Sequence, residues 1–162
     1  MNKMLLVIDL QNDFISDSNR FIINKIDNLI NSDLYDKIVF TKFINSSNNF
    51  TYKKLNYTSC LTKKGQDIPI DTKNHFIIEK SKYSALNNDL IEYIQKHNIL
   101  EIDICGIDTE CCVLKTAFDL FENNYNVKVL RNYCASFISK DRHDNAISIL
   151  ERNIGKNNVI DL

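Results

Sequence analysis

Short apolar runs punctuate the chain at Met4 to Ile8, Ile38 to Phe43, Phe76 to Ile78, Ile102 to Cys105 and Val127 to Leu130. They are mostly β-branched or aromatic and lack strict polar alternation, so they predict strands buried on both faces. Between them, apolar residues recur three and four apart at Phe21 to Leu29, Leu86 to Lys96, Val113 to Phe121 and Ala146 to Leu150, the spacing of amphipathic helices. Strand and helix therefore alternate from end to end, closing with a short strand near Asn158 to Ile160. The pattern predicts one α/β domain over residues 1–162, with a mainly parallel sheet and right-handed crossovers. Only Asn45 to Thr72 shows no periodicity; it holds the sole proline, Pro69, and reads as a long loop of the kind that forms lids or binding surfaces.

In open sheets of this type, ligands sit beyond the carboxyl ends of the strands. That rule singles out Asp9 after the first strand, Lys80 after the third, and Gly106 to Cys112 after the fourth. The segment Gly106-Ile107-Asp108-Thr109-Glu110-Cys111-Cys112-Val113 runs from strand into helix and is expected to place Cys112 in the first helical turn. Free N–H groups and the positive end of the helix dipole stabilise a thiolate there. A nucleophilic sulfur needs a group to take and return its proton and a cation to hold its charge, functions that Asp9 and Lys80 can supply.

Composition narrows the setting. With 20 basic and 21 acidic residues the net charge is −1, which offers no footprint for a phosphate backbone, so nucleic acid is not an expected partner. No apolar run approaches the length needed to cross a bilayer, and Met1 to Leu10 has neither the core nor the cleavage site of a secretory leader, which predicts a cytoplasmic protein. Five cysteines without a C-x-x-C pair, and three histidines standing far apart, predict reduced thiols, no metal site and no cofactor.

Four blocks, taken together, resemble the isochorismatase-like cysteine hydrolases, the superfamily of nicotinamidases, N-carbamoylsarcosine amidase and related small-amide hydrolases. They are Leu6-Val7-Ile8-Asp9-Leu10-Gln11-Asn12-Asp13-Phe14, Lys80-Ser81-Lys82-Tyr83-Ser84-Ala85, Gly106-x-x-Thr109-x-x-Cys112-Val113, and Cys134-Ala135-Ser136 followed by His143-x-x-Ala146. The resemblance implies a three-layer α/β/α fold around a six-stranded sheet of order 3-2-1-4-5-6, and a triad of Asp9, Lys80 and Cys112. It implies a cis peptide between Ile107 and Asp108, and an oxyanion hole formed by the N–H groups of Asp108 and Cys112. Activity on a small-molecule amide through a thioester on Cys112 follows, as does a homo-oligomeric state.

The chain departs from that family at several points. Metal-binding nicotinamidases carry an Asp-x-His pair after the second strand, where this chain reads Thr41-Lys42-Phe43-Ile44-Asn45-Ser46. Asn132 stands where a carboxylate is usual after the fifth strand, Leu86 where an aromatic is usual, and the segment after Phe14 is short, which opens that wall of the pocket.

Each of these residues also has a plainer role open to it. A free cysteine is commonly a small buried hydrophobe, which is the alternative for Cys112 and the expectation for a core-facing Cys111; a vicinal redox pair is the third option. Asp9 can be read as a turn carboxylate and Lys80 as a solvated lysine. Asp13 and His143 read as structural contacts, and Phe14 and Tyr83 as pocket-lining aromatics or core. The competing functions are vinyl-ether cleavage of the isochorismatase type, for which an aspartate suffices, and a catalytically silent oligomeric binding module.

Overall fold

A computed structural model describes residues 2–162; Met1, the first residue of the segment read for a leader, lies outside them. The sheet comprises β1 (Lys3–Ile8), β2 (Lys37–Phe43), β3 (Phe76–Lys80), β4 (Glu101–Ile107), β5 (Val127–Ala135) and β6 (Val159–Ile160). All neighbours pair in parallel, in the order β3-β2-β1-β4-β5-β6, as the resemblance implies. The flanking helices are α1 (Phe21–Ile30), α2 (Phe50–Leu55), α3 (Lys63–Gln66), α4 (Asn88–Lys96), α5 (Leu114–Glu122) and α6 (Lys140–Ile154).

β1 shows why the strands lack polar alternation. Met4, Leu6 and Ile8 enter one core layer with Leu90, Ile94, Ala117, Leu120 and Leu150 from α4, α5 and α6. Leu5 and Val7 enter the opposite layer, against Ile22, Ile26 and Leu29 of α1. Both faces of the central strands are covered, so Met4 to Ile8 is apolar without a break.

Three expectations need correction. β3 is an edge strand with Phe76, Ile77 and Glu79 exposed, so its short apolar run did not mean burial on both faces. The stretch Asn45 to Thr72 is not a bare loop: it holds α2 and α3, each opened by a side-chain cap, Asn49 accepting from Thr51 N–H at 3.1 Å and Thr62 from Gly65 N–H at 3.2 Å. These helices have six and four residues, too few to show a helical period. Finally, α6 begins six residues before the Ala146 from which it was read, at a cap where Ser139 accepts from Arg142 N–H; its first turns are polar and largely solvent-facing, which hides them from a hydrophobic pattern.

The sheet order reverses between β1 and β4, and at such a switch point the crossovers diverge and leave a crevice above the strand ends. β1 and β4 are in register from Lys3 beside Glu101 to Ile8 beside Gly106. Consequently Asp9 and the Ile107-Asp108 peptide emerge side by side into that crevice.

Candidate active site

Asp9, the first residue beyond β1, takes a left-handed backbone with φ of 45°, which turns the chain sharply out of the sheet and buries the carboxylate completely. Thr41 of β2 fixes it from the side: its hydroxyl donates to Asp9 Oδ1 at 2.6 Å and accepts from the Asp9 N–H at 3.1 Å. The other carboxylate oxygen, Oδ2, meets Lys80 Nζ at 2.6 Å.

Lys80 ends β3, two strands away, and its ammonium is the hub of the site. It donates to the carbonyls of Lys82 at 2.9 Å and Tyr83 at 3.0 Å, and to Cys112 Sγ at 3.6 Å. Burial alone would push this ammonium towards neutrality; the Asp9 carboxylate and the Cys112 sulfur beside it reverse that and raise it above the usual lysine value. The three side chains chosen from sequence are therefore brought together, with the lysine bridging carboxylate and sulfur.

Cys112 does not lie in the first turn of α5. It belongs to a π-helical turn, Thr109–Val113, that precedes that helix and whose wider path is anchored by the Asp108 carbonyl, which accepts from Cys111 N–H at 3.0 Å and Val113 N–H at 3.1 Å. Such single π turns recur at functional sites. Nor is a resting thiolate favoured: the Cys111 side chain, burial and the Asp9 charge all raise the Cys112 thiol well above its ordinary range, with Lys80 acting in the opposite sense. The sulfur thus rests protonated and needs a base at the moment of attack. Alkylation of Cys112 by iodoacetamide should accordingly be slower than that of a free thiol near pH 7 and should accelerate up to about tenfold per pH unit through the alkaline range, since only the thiolate reacts. A rate at Cys112 flat from about pH 6 upward would show a preformed thiolate instead.

The peptide between Ile107 and Asp108 is cis. Asp108 is half-buried, and its Oδ1 accepts from the Phe137 N–H at 2.6 Å. Burial, with Glu110 and Asp9 nearby, pushes its carboxyl up to about 7.

Above these groups lies a cleft of about 210 Å³, bordered by Cys112, Cys111 and Asp108. That is smaller than the roughly 300–1,000 Å³ typical of sites for drug-sized ligands. Phe14 and Tyr83 both line it, Phe14 tilted against Phe43 and Tyr83 edge-on to Phe50 at 5.4 Å between centroids. Cys111 packs against the core, as expected, and also borders the cleft.

The roof comes from the segment that showed no periodicity: Thr51 and Leu55 of α2, and Tyr57 just beyond it. Amide side chains peg it in place. Asn45 Nδ2 donates to the carbonyls of Tyr57 at 2.8 Å and Ser59 at 3.0 Å, and Asn49 Nδ2 donates to the Ser81 carbonyl at 3.0 Å. Asp13 serves as a structural carboxylate here, accepting from Cys60 N–H at 2.6 Å and packing against Gly65, where any side chain would collide with it. His143 makes a structural contact with Thr109 Oγ1 at 2.8 Å behind the π turn. The roles of Thr41 and of the roof residues were not foreseen. For Thr41 the only available signal was a hydroxyl inside an apolar strand next to the one that carries Asp9.

Among the described residues, no group of three or more His, Cys, Asp or Glu side chains is arranged to hold a metal ion. The Thr41-to-Ser46 segment offers no imidazole or carboxylate, so its residues do not fit the metal of the metal-binding nicotinamidases.

Comparison with known proteins returns a consistent picture. The family description "Isochorismatase domain" matches residues 3–159. A nicotinamidase from Saccharomyces cerevisiae is 27% identical over 188 residues, covering 81% of this chain and 87% of that protein. Isochorismatase family protein 2A from Dictyostelium discoideum is 31% identical over 70 residues, covering 42% of this chain and 35% of the relative, and with other similarly matched curated relatives the chain likewise spans about a third of their length. Among solved structures, a nicotinamidase from Bacillus subtilis superimposes with a TM-score of 0.82 at 26% identity, covering 96% of this chain and 97% of the other. An isochorismatase-like hydrolase from Alkaliphilus metalliredigens gives a TM-score of 0.86 at 22% identity, with 99% and 95% covered, a likeness of fold.

Proposed function

The chain belongs to the isochorismatase domain family, and from that premise we propose that it is a cysteine hydrolase which cleaves the C–N bond of a small-molecule amide through a thioester on Cys112. The observation that carries this reading is the bridge made by one buried ammonium, 2.6 Å from Asp9 and 3.6 Å from the sulfur of Cys112, the residue of the three that borders a small, largely apolar cleft.

In the proposed cycle, Asp9 takes the thiol proton as the sulfur attacks the amide carbon, and the N–H groups of Asp108 and Cys112 receive the developing oxyanion. The tetrahedral adduct collapses with its nitrogen protonated by Asp9, so ammonia or an amine departs and a thioester remains. Water, deprotonated by Asp9, then attacks the thioester; the acid leaves, and the proton returns to the sulfur. Lys80 stays charged throughout and lowers the cost of each anionic state, while the pegged Asp9 carboxylate needs no reorientation between its acid and base roles. The protonated resting thiol agrees with this scheme, because the nucleophile and its base then begin the cycle in matched states.

Retention of the sulfur favours amide hydrolysis over vinyl-ether cleavage, for which Asp9 alone would serve. The relatives described as nicotinamidases support an amide substrate, and the aromatic walls suit a flat or apolar acyl group. The test is intact-mass spectrometry of the protein quenched in acid during turnover of a panel of small amides. An acyl adduct on the parent protein and none on Cys112→Ala is the expected result; an adduct that survives the substitution, or hydrolysis that does not need the sulfur, overturns the assignment.

A further inference from the structure

The cleft wall contains a carboxyl that the hydrolytic cycle leaves unused, the Asp108 side chain. Only its backbone N–H takes part in the chemistry proposed above. Its carboxyl is held in a fixed direction, with Oδ1 accepting from the Phe137 N–H at 2.6 Å, while Oδ2 has no hydrogen-bond partner among the described residues. Asp108 lines the cleft beside Cys112, where the surrounding surface is Phe14, Phe43, Leu55, Tyr83 and Ile107.

A carboxyl fixed through one oxygen, with the other facing an open and mainly apolar cleft, loses its water when the cleft fills, which is costly unless the occupant supplies a donor. We propose that the Asp108 carboxyl is a specificity determinant that selects small amides carrying an ammonium or other N–H donor away from the scissile bond, and that excludes amides carrying a carboxylate. The inference rests on the amidase reading of Cys112 and adds to it the charge of the preferred substrate.

The groups that face Asp108 sharpen the test. Asp9 at the end of β1 and Glu110 on the π turn are acidic neighbours, and Tyr57 from the roof and Cys111 complete its titratable surroundings. Asp9 is neutralised by Lys80, and Glu110 is turned to the Ser136 hydroxyl, which donates to its Oε1 at 2.6 Å. Asp108 is thus the carboxyl left to act on a ligand, and with burial pushing it up to about 7 it is ionised above neutrality and uncharged below.

Three small alkylating agents of one size read this directly: 2-bromoethylamine (cation), iodoacetamide (neutral) and iodoacetate (anion). Rates at Cys112 are measured by fragment-ion mapping, which separates it from Cys111, and each is divided by the rate with N-acetylcysteine. On the parent protein the normalised cation-to-anion ratio is expected to exceed that of Asp108→Asn by about tenfold or more, the size of effect one nearby charge produces in a partly desolvated cleft. Asn keeps the shape and the oxygen that accepts from Phe137, so the comparison isolates charge.

A second arm varies pH: in the parent protein the same ratio should rise between about pH 6 and pH 8 as Asp108 ionises, the thiolate fraction cancelling between reagents. Equal ratios in the two proteins, or a pH dependence that persists unchanged in Asp108→Asn, would refute the role of Asp108 while leaving the nucleophile intact. No labelling of Cys112 by any reagent at high pH would instead remove the nucleophile itself, and the selectivity proposal with it.

Discussion

Replacing Lys80 with methionine should lower unfolding stability by about 3–5 kcal/mol, because it strands a buried carboxylate whose charge is no longer matched. In a chain of this length that corresponds to a fall in melting temperature of roughly 10 °C. Asp9 is wholly inaccessible, and its remaining partner would be the Thr41 hydroxyl on Oδ1. Amide turnover should fall in parallel by about a thousandfold or more, since both the anchored base and the cation beside the sulfur are lost.

The informative comparison is Asp9→Asn/Lys80→Met. Asparagine tolerates the left-handed backbone at position 9, carries no charge, and keeps an oxygen for Thr41. The double variant should recover most of the lost stability without recovering turnover, and urea unfolding of the parent, both single variants and the double variant completes the cycle. A Lys80→Met protein as stable as its parent would mean that the carboxylate and ammonium do not share a dry site.

The second large effect is expected from backbone packing alone. Gly106 sits in β4 opposite Ile8 with φ of 123°, and a Cβ placed on it would come within 2.1 Å of the Ile8 carbonyl oxygen. That atom is backbone in the central strand, so no side-chain rotation relieves the collision. Gly106→Ala should therefore destabilise the protein by at least about 4 kcal/mol, beyond the range of ordinary substitutions. Gly155 is the natural control: its φ is 93°, also unfavourable for a side chain, but the nearest atom to an added Cβ is 3.9 Å away. Gly155→Ala should cost only about 1–2 kcal/mol, the dihedral contribution alone. Similar urea midpoints for the two variants would show that close strand approach contributes nothing at position 106.

These expectations bear on which features of the molecule could be read from residues alone. The central strands were legible because burial on both faces makes them predominantly apolar, and the residues at and after the strand ends then singled out Asp9, Lys80 and Cys112 without any knowledge of distances. Edge strand β3 carries as apolar a run, yet nothing in Phe76-Ile77-Ile78 announces that only Ile78 is buried. The π turn was also invisible, since its residues differ from those of an ordinary first helical turn only in the path set by the Asp108 carbonyl. Cys111 packs against the core as read, but its place in the cleft wall beside Cys112 depends on the path of that turn and had no signal in the residues. Thr41 and the pegs from Asn45 and Asn49 are polar groups whose partners lie across the sheet or many residues away, and only the fold supplies those partners.

The pegged roof has a consequence for how such an enzyme can diversify. The groups proposed for chemistry stand on strand ends locked into the sheet, whereas Thr51, Leu55 and Tyr57 belong to a short excursion held by a few asparagine amides. Recognition and reaction therefore occupy separately replaceable parts of the chain: an exchange of residues 50–57 that spares Asn45 and Asn49 can reshape what enters while the engine beneath is left as it was.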